Sequence, residues 1–105
     1  MAGILNGAYD LHVHAGPDVI RRRMDDLELA ESYQKAGMKG FVIKSHYFDT
    51  AGRACLVRKL YPNLQVAGAI TLNRSVGGLN PEAVRQAARY GVQLVFMPTM
   101  DADNM

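Results

Sequence analysis

Apolar positions fall into four short runs, residues 8–13, 40–44, 64–70 and 92–97, each bounded by polar or turn-forming residues. Between them, apolar residues recur at three- and four-residue spacing, which predicts three helices and a βαβαβαβ order. The first helix is expected to start at Asp25 or Asp26, whose carboxylate can accept from the free amides of the first turn. It should stop at Gly37, which tolerates a left-handed cap, and bury Leu27, Ala30, Tyr33 and Ala36. The second should begin at Asp49 or Thr50, run through Ala54, Val57 and Leu60, and be halted by Pro62 and Asn63. The third carries the clearest signals. Asn80 caps it, Pro81 takes the first helical position, Glu82 complements the positive helix end, and Gly91 closes it.

Strand starts recur about every 25 to 31 residues, enough for a strand, a helix and two short loops, and such connections form right-handed parallel crossovers. The expected class is α/β, built from parallel (β/α) units. In such folds chemistry gathers at the carboxyl ends of the strands. His12 and His14 follow the first strand, Lys44 and His46 the second, Thr71 and Asn73 the third, and Thr99 and Asp101 the fourth.

A closed eight-stranded barrel needs about 250 residues. This chain of 105 residues supplies four strands and three helices. Residues 1–105 are therefore expected to form one partial (β/α)-barrel domain, the amino-terminal half of a TIM-like barrel, either truncated or completed by a missing half or a second copy. Such a sheet leaves edge strands unpaired and an apolar face uncovered. A monomeric flavodoxin-like sheet is the structural alternative.

Composition narrows the partners. The chain is 49% hydrophobic and 21% charged, as ordinary globular domains are. A net charge of +2 and 8% aromatics without tryptophan argue against nucleic acid as a partner. No apolar run approaches the roughly 18 residues that cross a bilayer, so no membrane segment or signal peptide is expected. The single cysteine, Cys55, excludes an internal disulfide framework, reads as a small buried hydrophobe on a helix, and fits a reducing, cytoplasmic location.

The candidate chemistry centres on Asp10-Leu11-His12-Val13-His14. Alternate strand residues face one side, so both imidazoles can reach one divalent ion, zinc first, with manganese, iron or nickel as alternatives. His46, at the next strand end, is the third candidate ligand. Asp10 falls on the same side by alternation and is expected to fix an imidazole through its other nitrogen. Lys44 shares the strand side of His46 and is a candidate catalytic group for anchoring an anion or a developing oxyanion. The alternative is a lysine that snorkels to water or pairs with Asp10 or Asp101. Asn73 and Arg74 are the candidate substrate contacts, Arg74 adding charge to the Gly77-Gly78 turn and the amides of the third helix, although such a loop is commonly only a connection. Arg21-Arg22-Arg23 reads as a solvated face, and Asp18 as a rim residue of a loop shaped by Gly16-Pro17.

The stretch from Asp10 to His14, with Ala36-Gly37-Met38, Val42-Ile43 and His46, resembles the opening of barrels in the amidohydrolase superfamily and in the polymerase and histidinol phosphatase (PHP) family. Leu72-Asn73-Arg74-Ser75-Val76-Gly77-Gly78-Leu79-Asn80-Pro81 is similar to a segment of an uncharacterised amidohydrolase-like family. The resemblance implies a metal-dependent hydrolase that cleaves C–N, C–O or phosphoester bonds of a small molecule with metal-activated water. His12 and His14 match the metal-binding pair, and His46 matches the second-strand histidine of the PHP group. The chain departs from the pattern at the fourth strand, where residues 92–99 hold neither the bridging lysine nor glutamate, and after the third, where residues 69–73 supply no acid. Asp101 is the candidate substitute, as base or bridging ligand. The histidines and aspartate that these families carry in their second halves are absent. Two other expectations stand beside hydrolysis: a catalytically incomplete fragment or assembly subunit, and a metal-dependent decarboxylase or isomerase of the same superfamily.

Overall fold

Each apolar run forms a strand and each helical spacing a helix. The computed structural model describes residues 7–101. In chain order they form β1 (Tyr9–Val13), α1 (Asp26–Lys35), β2 (Gly40–Ile43), α2 (Ala51–Leu60), β3 (Gln65–Thr71), a 3-10 turn (Arg74–Val76), α3 (Pro81–Tyr90) and β4 (Val92–Phe96). The strands make one parallel sheet in the order β1-β2-β3-β4. This is the α/β alternation expected from the sequence.

The helix ends follow local chemistry. Asp25 caps α1 in a reciprocal box: its carboxylate accepts from Glu28 N–H at 2.8 Å, while Glu28 Oε1 accepts from Asp25 N–H at 3.1 Å. Asn80 caps α3 by accepting from the amides of Glu82 and Ala83, Pro81 takes the first position, and left-handed Gly91 closes it. Thr50 precedes α2 but does not cap it. Its hydroxyl donates to the Ile43 carbonyl at 2.6 Å and accepts from Ala69 N–H at 2.9 Å, tying the helix start to β2 and β3, while Asp49 accepts from Ala51 N–H at 3.1 Å. The approach of α2 to β3 requires glycine at position 68, where a Cβ would stand 2.7 Å from Ala51 Cα.

Two helix faces differ from the expected stripes. Leu27 and Leu60 are exposed, at 42% and 63%, and Cys55 is exposed as well. α1 instead turns Asp26, Leu29 and Ala30 inward, with Tyr33 packed beside them, because Arg53 reaches under the helix and grips Asp26 with Nε and Nη2 at 2.8 and 2.9 Å. On α2 the inward positions are Ala51, Ala54 and Val57, which leaves Cys55 and Leu60 on the outer side.

All three helices cover the same face of the sheet. Leu29, Ala30, Ala54 and Val57 pack on Phe41, Ile43 and Val66, while Ala87 and Val84 pack on Ile70 and Leu72. Consecutive right-handed crossovers in strand order have this result. On the opposite face Leu11, Val42, Ala67 and Leu94, one from each strand, line an open recess of about 410 Å³. Among the described residues no helix is long and apolar enough to cross a membrane.

Candidate functional site

The site begins with an irregularity in β1. Asp10 pairs with Phe41 and Val13 with Ile43, so three steps on β1 oppose two on β2, the signature of a bulge. Phe41 and Ile43 both face the helices. The bulge therefore turns Asp10 and Val13 to the helix side and leaves His12 and His14 on the uncovered face. The expectation that Asp10 shares the side of the imidazoles is corrected here: its carboxylate accepts from the Tyr33 hydroxyl and, at 3.1 Å, from the backbone N–H of His12. It anchors the backbone of β1 to α1 and fixes no imidazole ring. Burial and the adjoining Asp10 carboxylate push the Tyr33 hydroxyl well above its ordinary range.

The three imidazoles gather as the strand ends predict. Nε2 of His12 and Nε2 of His14 stand 3.2 Å apart. The His14 ring stacks on that of His46, with centroids 4.9 Å apart and planes inclined by 20°. His46 Nδ1 lies 2.6 Å from the Thr99 hydroxyl, a contact that in the Nδ1–H tautomer leaves the Nε2 lone pair free. Burial, followed by the charges of Arg22, His46, His12 and Lys44, lowers the His14 pKa to about 4. Burial, with Lys44 and Arg22, lowers that of His46 too. Both rings are thus biased toward the neutral form that binds metals.

Lys44 is buried, at 4% exposure, with its ammonium 4.2 Å above the Phe96 ring centroid, and Phe96 also neighbours His12. It neither snorkels nor pairs with Asp10 or Asp101, and burial lowers its pKa. Arg22 is no mere member of a solvated run. Its guanidinium donates to Asp18 Oδ2 at 3.2 Å, Asp18 Oδ1 accepts from Ser45 Oγ at 2.8 Å, and the Arg22 charge is felt at His14 and His46. Burial pushes the Asp18 carboxyl up, but hydrogen bonds from Ser45, Val19 and Arg22 outweigh it and hold the group below its usual range.

The residues after β3 and β4 take other roles than expected. Asn73, at 1% exposure, donates from Nδ2 to the His46 carbonyl at 3.0 Å and to Thr99 Oγ1 at 2.9 Å, while Oδ1 accepts from Thr99 N–H at 2.9 Å. It is a hub joining the ends of β2, β3 and β4, with its capacity spent on the chain rather than on substrate. Asp101 Oδ2 accepts from the Arg74 amide at 2.8 Å, and Arg74 Nε lies 3.8 Å from Oδ1, so the candidate base and the candidate substrate cation hold each other at the rim. The first amides of α3 are capped by Asn80, and Gly77 and Gly78 donate back to Arg74 and Asn73, which leaves no anion cradle there.

Thr71, Thr99 and Arg22 are the site residues for which sequence reasoning gave no role. Their only signal was position, Thr71 and Thr99 at strand ends and Arg22 in the first loop. Thr71 Oγ1 and His14 Nδ1 are buried with no hydrogen-bond partner among the described residues.

Such orphaned atoms at a strand-end mouth are satisfied by an ordered water or a ligand. Two nitrogens bound to one tetrahedral zinc at about 2.0–2.1 Å lie about 3.3 Å apart. The separation between His12 and His14 fits that spacing. Among the described residues, no group of three or more His, Cys, Asp or Glu side chains is arranged to hold a metal ion, so the fit is that of a pair with His46 stacked behind it. No curated protein and no solved structure matches the chain. Residues 7–105 match the model of a family of unknown function, DUF6282, and the chain belongs to that family.

Proposed function

We propose that the strand-end mouth is a metal-dependent hydrolase site of the amidohydrolase or PHP type, carried on the first half of a TIM-like barrel. The convergence of His12 Nε2 and His14 Nε2 at 3.2 Å carries this reading. His12 and His14 would hold the ion, with His46 as the further ligand and zinc as the metal that suits neutral imidazoles best. A divalent ion in that position supplies Lewis acidity to a carbonyl or phosphoryl oxygen and activates water for attack. The chain's own residues do the rest. Burial keeps His14 unprotonated, Asn73 and Thr99 hold the His46 loop, and Lys44 offers a cation to negative charge on the reacting molecule. Asp101, held by Arg74, serves the β4 loop in this scheme and leaves the base to be supplied elsewhere.

The uncovered face of the sheet supports a second reading, in which the mouth is incomplete until the missing half of the barrel or a second copy covers Leu11, Val42 and Leu94. The exposed thiol of Cys55 suits the reducing, cytoplasmic setting proposed with both readings.

Metal analysis decides the first reading. Purified protein, dialysed against metal-free buffer after zinc loading, is expected to retain zinc, and a His12→Ala, His14→Ala double variant of unchanged circular dichroism is expected to lose it. Equal trace metal in both proteins refutes the site.

A further inference from the structure

The described carboxylates closest to the mouth are committed elsewhere: Asp10 to Tyr33, Asp18 to Ser45 and Arg22, and Asp101 to Arg74. Lys44 forms no ion pair among the described residues. At 4% exposure little of the residue reaches water, and among the described residues only the face of Phe96 attends the ammonium. A buried cation with no anion opposite it is an expensive arrangement unless something else supplies the charge.

Thr71 stands in the same place. Val66, Ile70 and Leu72 face the helices, so Thr71, between the last two, faces the other way, as Lys44 does beside helix-facing Ile43. Phe96 is the register partner of Thr71, and the ammonium of Lys44 lies over the Phe96 ring. Two donors thus lie on one face of adjacent strand ends, beside the imidazoles. Thr71 is 1% exposed, and its hydroxyl has no partner among the described residues. An ammonium has donors only, and a hydroxyl has one donor to give. The complementary group is an acceptor with negative charge and more than one oxygen.

We propose that Lys44 Nζ and Thr71 Oγ1 form an oxyanion subsite, and that the molecule handled at this mouth carries a carboxylate or phosphoryl group that docks there. As a statement about substrate class this rests on the hydrolase reading, whereas the docking itself needs no metal. The subsite also gives Lys44 a narrower task than general anchoring: it sets the register of the substrate against His12 through the shared Phe96 wall.

Chelator-treated protein is titrated with inorganic phosphate and, separately, with acetate, by calorimetry and by NMR of the Lys44 Nζ and Thr71 resonances. At least one of the two is expected to bind saturably and to move both resonances. Lys44→Met should weaken that binding by about tenfold or more, as loss of a charge-assisted bond does, and Thr71→Val by about threefold. The His12→Ala, His14→Ala double variant should keep it. Binding that is unsaturable in the wild type, equal in Lys44→Met and Thr71→Val, or lost only in the double histidine variant overturns the subsite. Should Lys44→Met fail to fold, Thr71→Val and the wild-type Nζ resonance decide, and a resonance unmoved at saturation refutes it. Metal content of the same samples separates the two claims: oxyanion binding without zinc retention keeps the subsite and removes the hydrolase reading, and zinc retention without oxyanion binding removes the subsite alone.

Discussion

Replacing Asn73 with alanine tests whether the mouth is held together by one side chain. The substitution removes the donor to the His46 carbonyl and to Thr99 Oγ1, and the acceptor for Thr99 N–H, at a residue only 1% exposed. The 3.4 Å contact to Asp101 N–H is too long to add much. Two backbone groups, His46 O and Thr99 N–H, lose their partner where water has little access. Each such orphan costs about 1–3 kcal/mol, so the variant should lose about 2–6 kcal/mol. For a domain of this size that corresponds to a fall in Tm of about 10–30 °C. Urea unfolding followed by circular dichroism measures it, and the midpoint should drop without a change in slope. Asn73→Asp should be at least as harmful at neutral pH, because a carboxylate oxygen then faces the His46 carbonyl, and should recover partly in acid as the group gains a proton. A loss below about 0.5 kcal/mol in Asn73→Ala, within the range of ordinary surface substitutions, would refute the hub.

Two further expectations follow from groups away from that hub. Arg53→Met leaves Asp26 charged beneath α1 and the Ala15 carbonyl without its donor, which should cost about 3–5 kcal/mol, while the double variant with Asp26→Leu should recover most of it. A cycle in which the two effects simply add would show that the pair is not coupled. The second expectation concerns pH. His14 has a native pKa near 4 against 6.5 for the free side chain, so between these values the unfolded chain binds more protons than the native one. Stability must therefore rise with pH across that window and fall as pH drops from about 6.5 toward 4. His14→Asn should show a shallower fall over the same range in urea midpoints, and parallel curves would refute the assignment.

The element order, the parallel sheet, both side-chain helix caps and the gathering of the three histidines were legible in the sequence because each rests on local spacing. What was not legible depends on pairs of residues distant in the chain. Leu27 was placed inward by its apolarity, yet Asp26 holds that position because Arg53, on another helix, meets it there. The start of α2 at Asp49 or Thr50 was legible, but not that Ala69 and Ile43 claim the Thr50 hydroxyl. Asn73 and Asp101 were placed at strand ends and Arg74 beside the loop that follows β3, but the hydrogen bonds that engage all three between loops are recorded by no single-chain pattern.

The bulge in β1 has the largest functional consequence. Strict alternation puts Asp10, His12 and His14 on one side, and the motif then looks like two ligands with their own carboxylate. One extra residue in the ladder sends Asp10 to Tyr33 and leaves both imidazoles on the open face without an acid beside them. A metal centre so built would have neutral ligands and two cationic neighbours, Lys44 and Arg22, while the one carboxylate felt at His46, Asp18, is already engaged by Arg22 and Ser45. Its charge must then be balanced by what binds there. This is the same requirement that Lys44 and Thr71 impose from the adjoining strands, so the imidazole pair and the oxyanion subsite ask for one kind of occupant: a small molecule that brings its own negative charge.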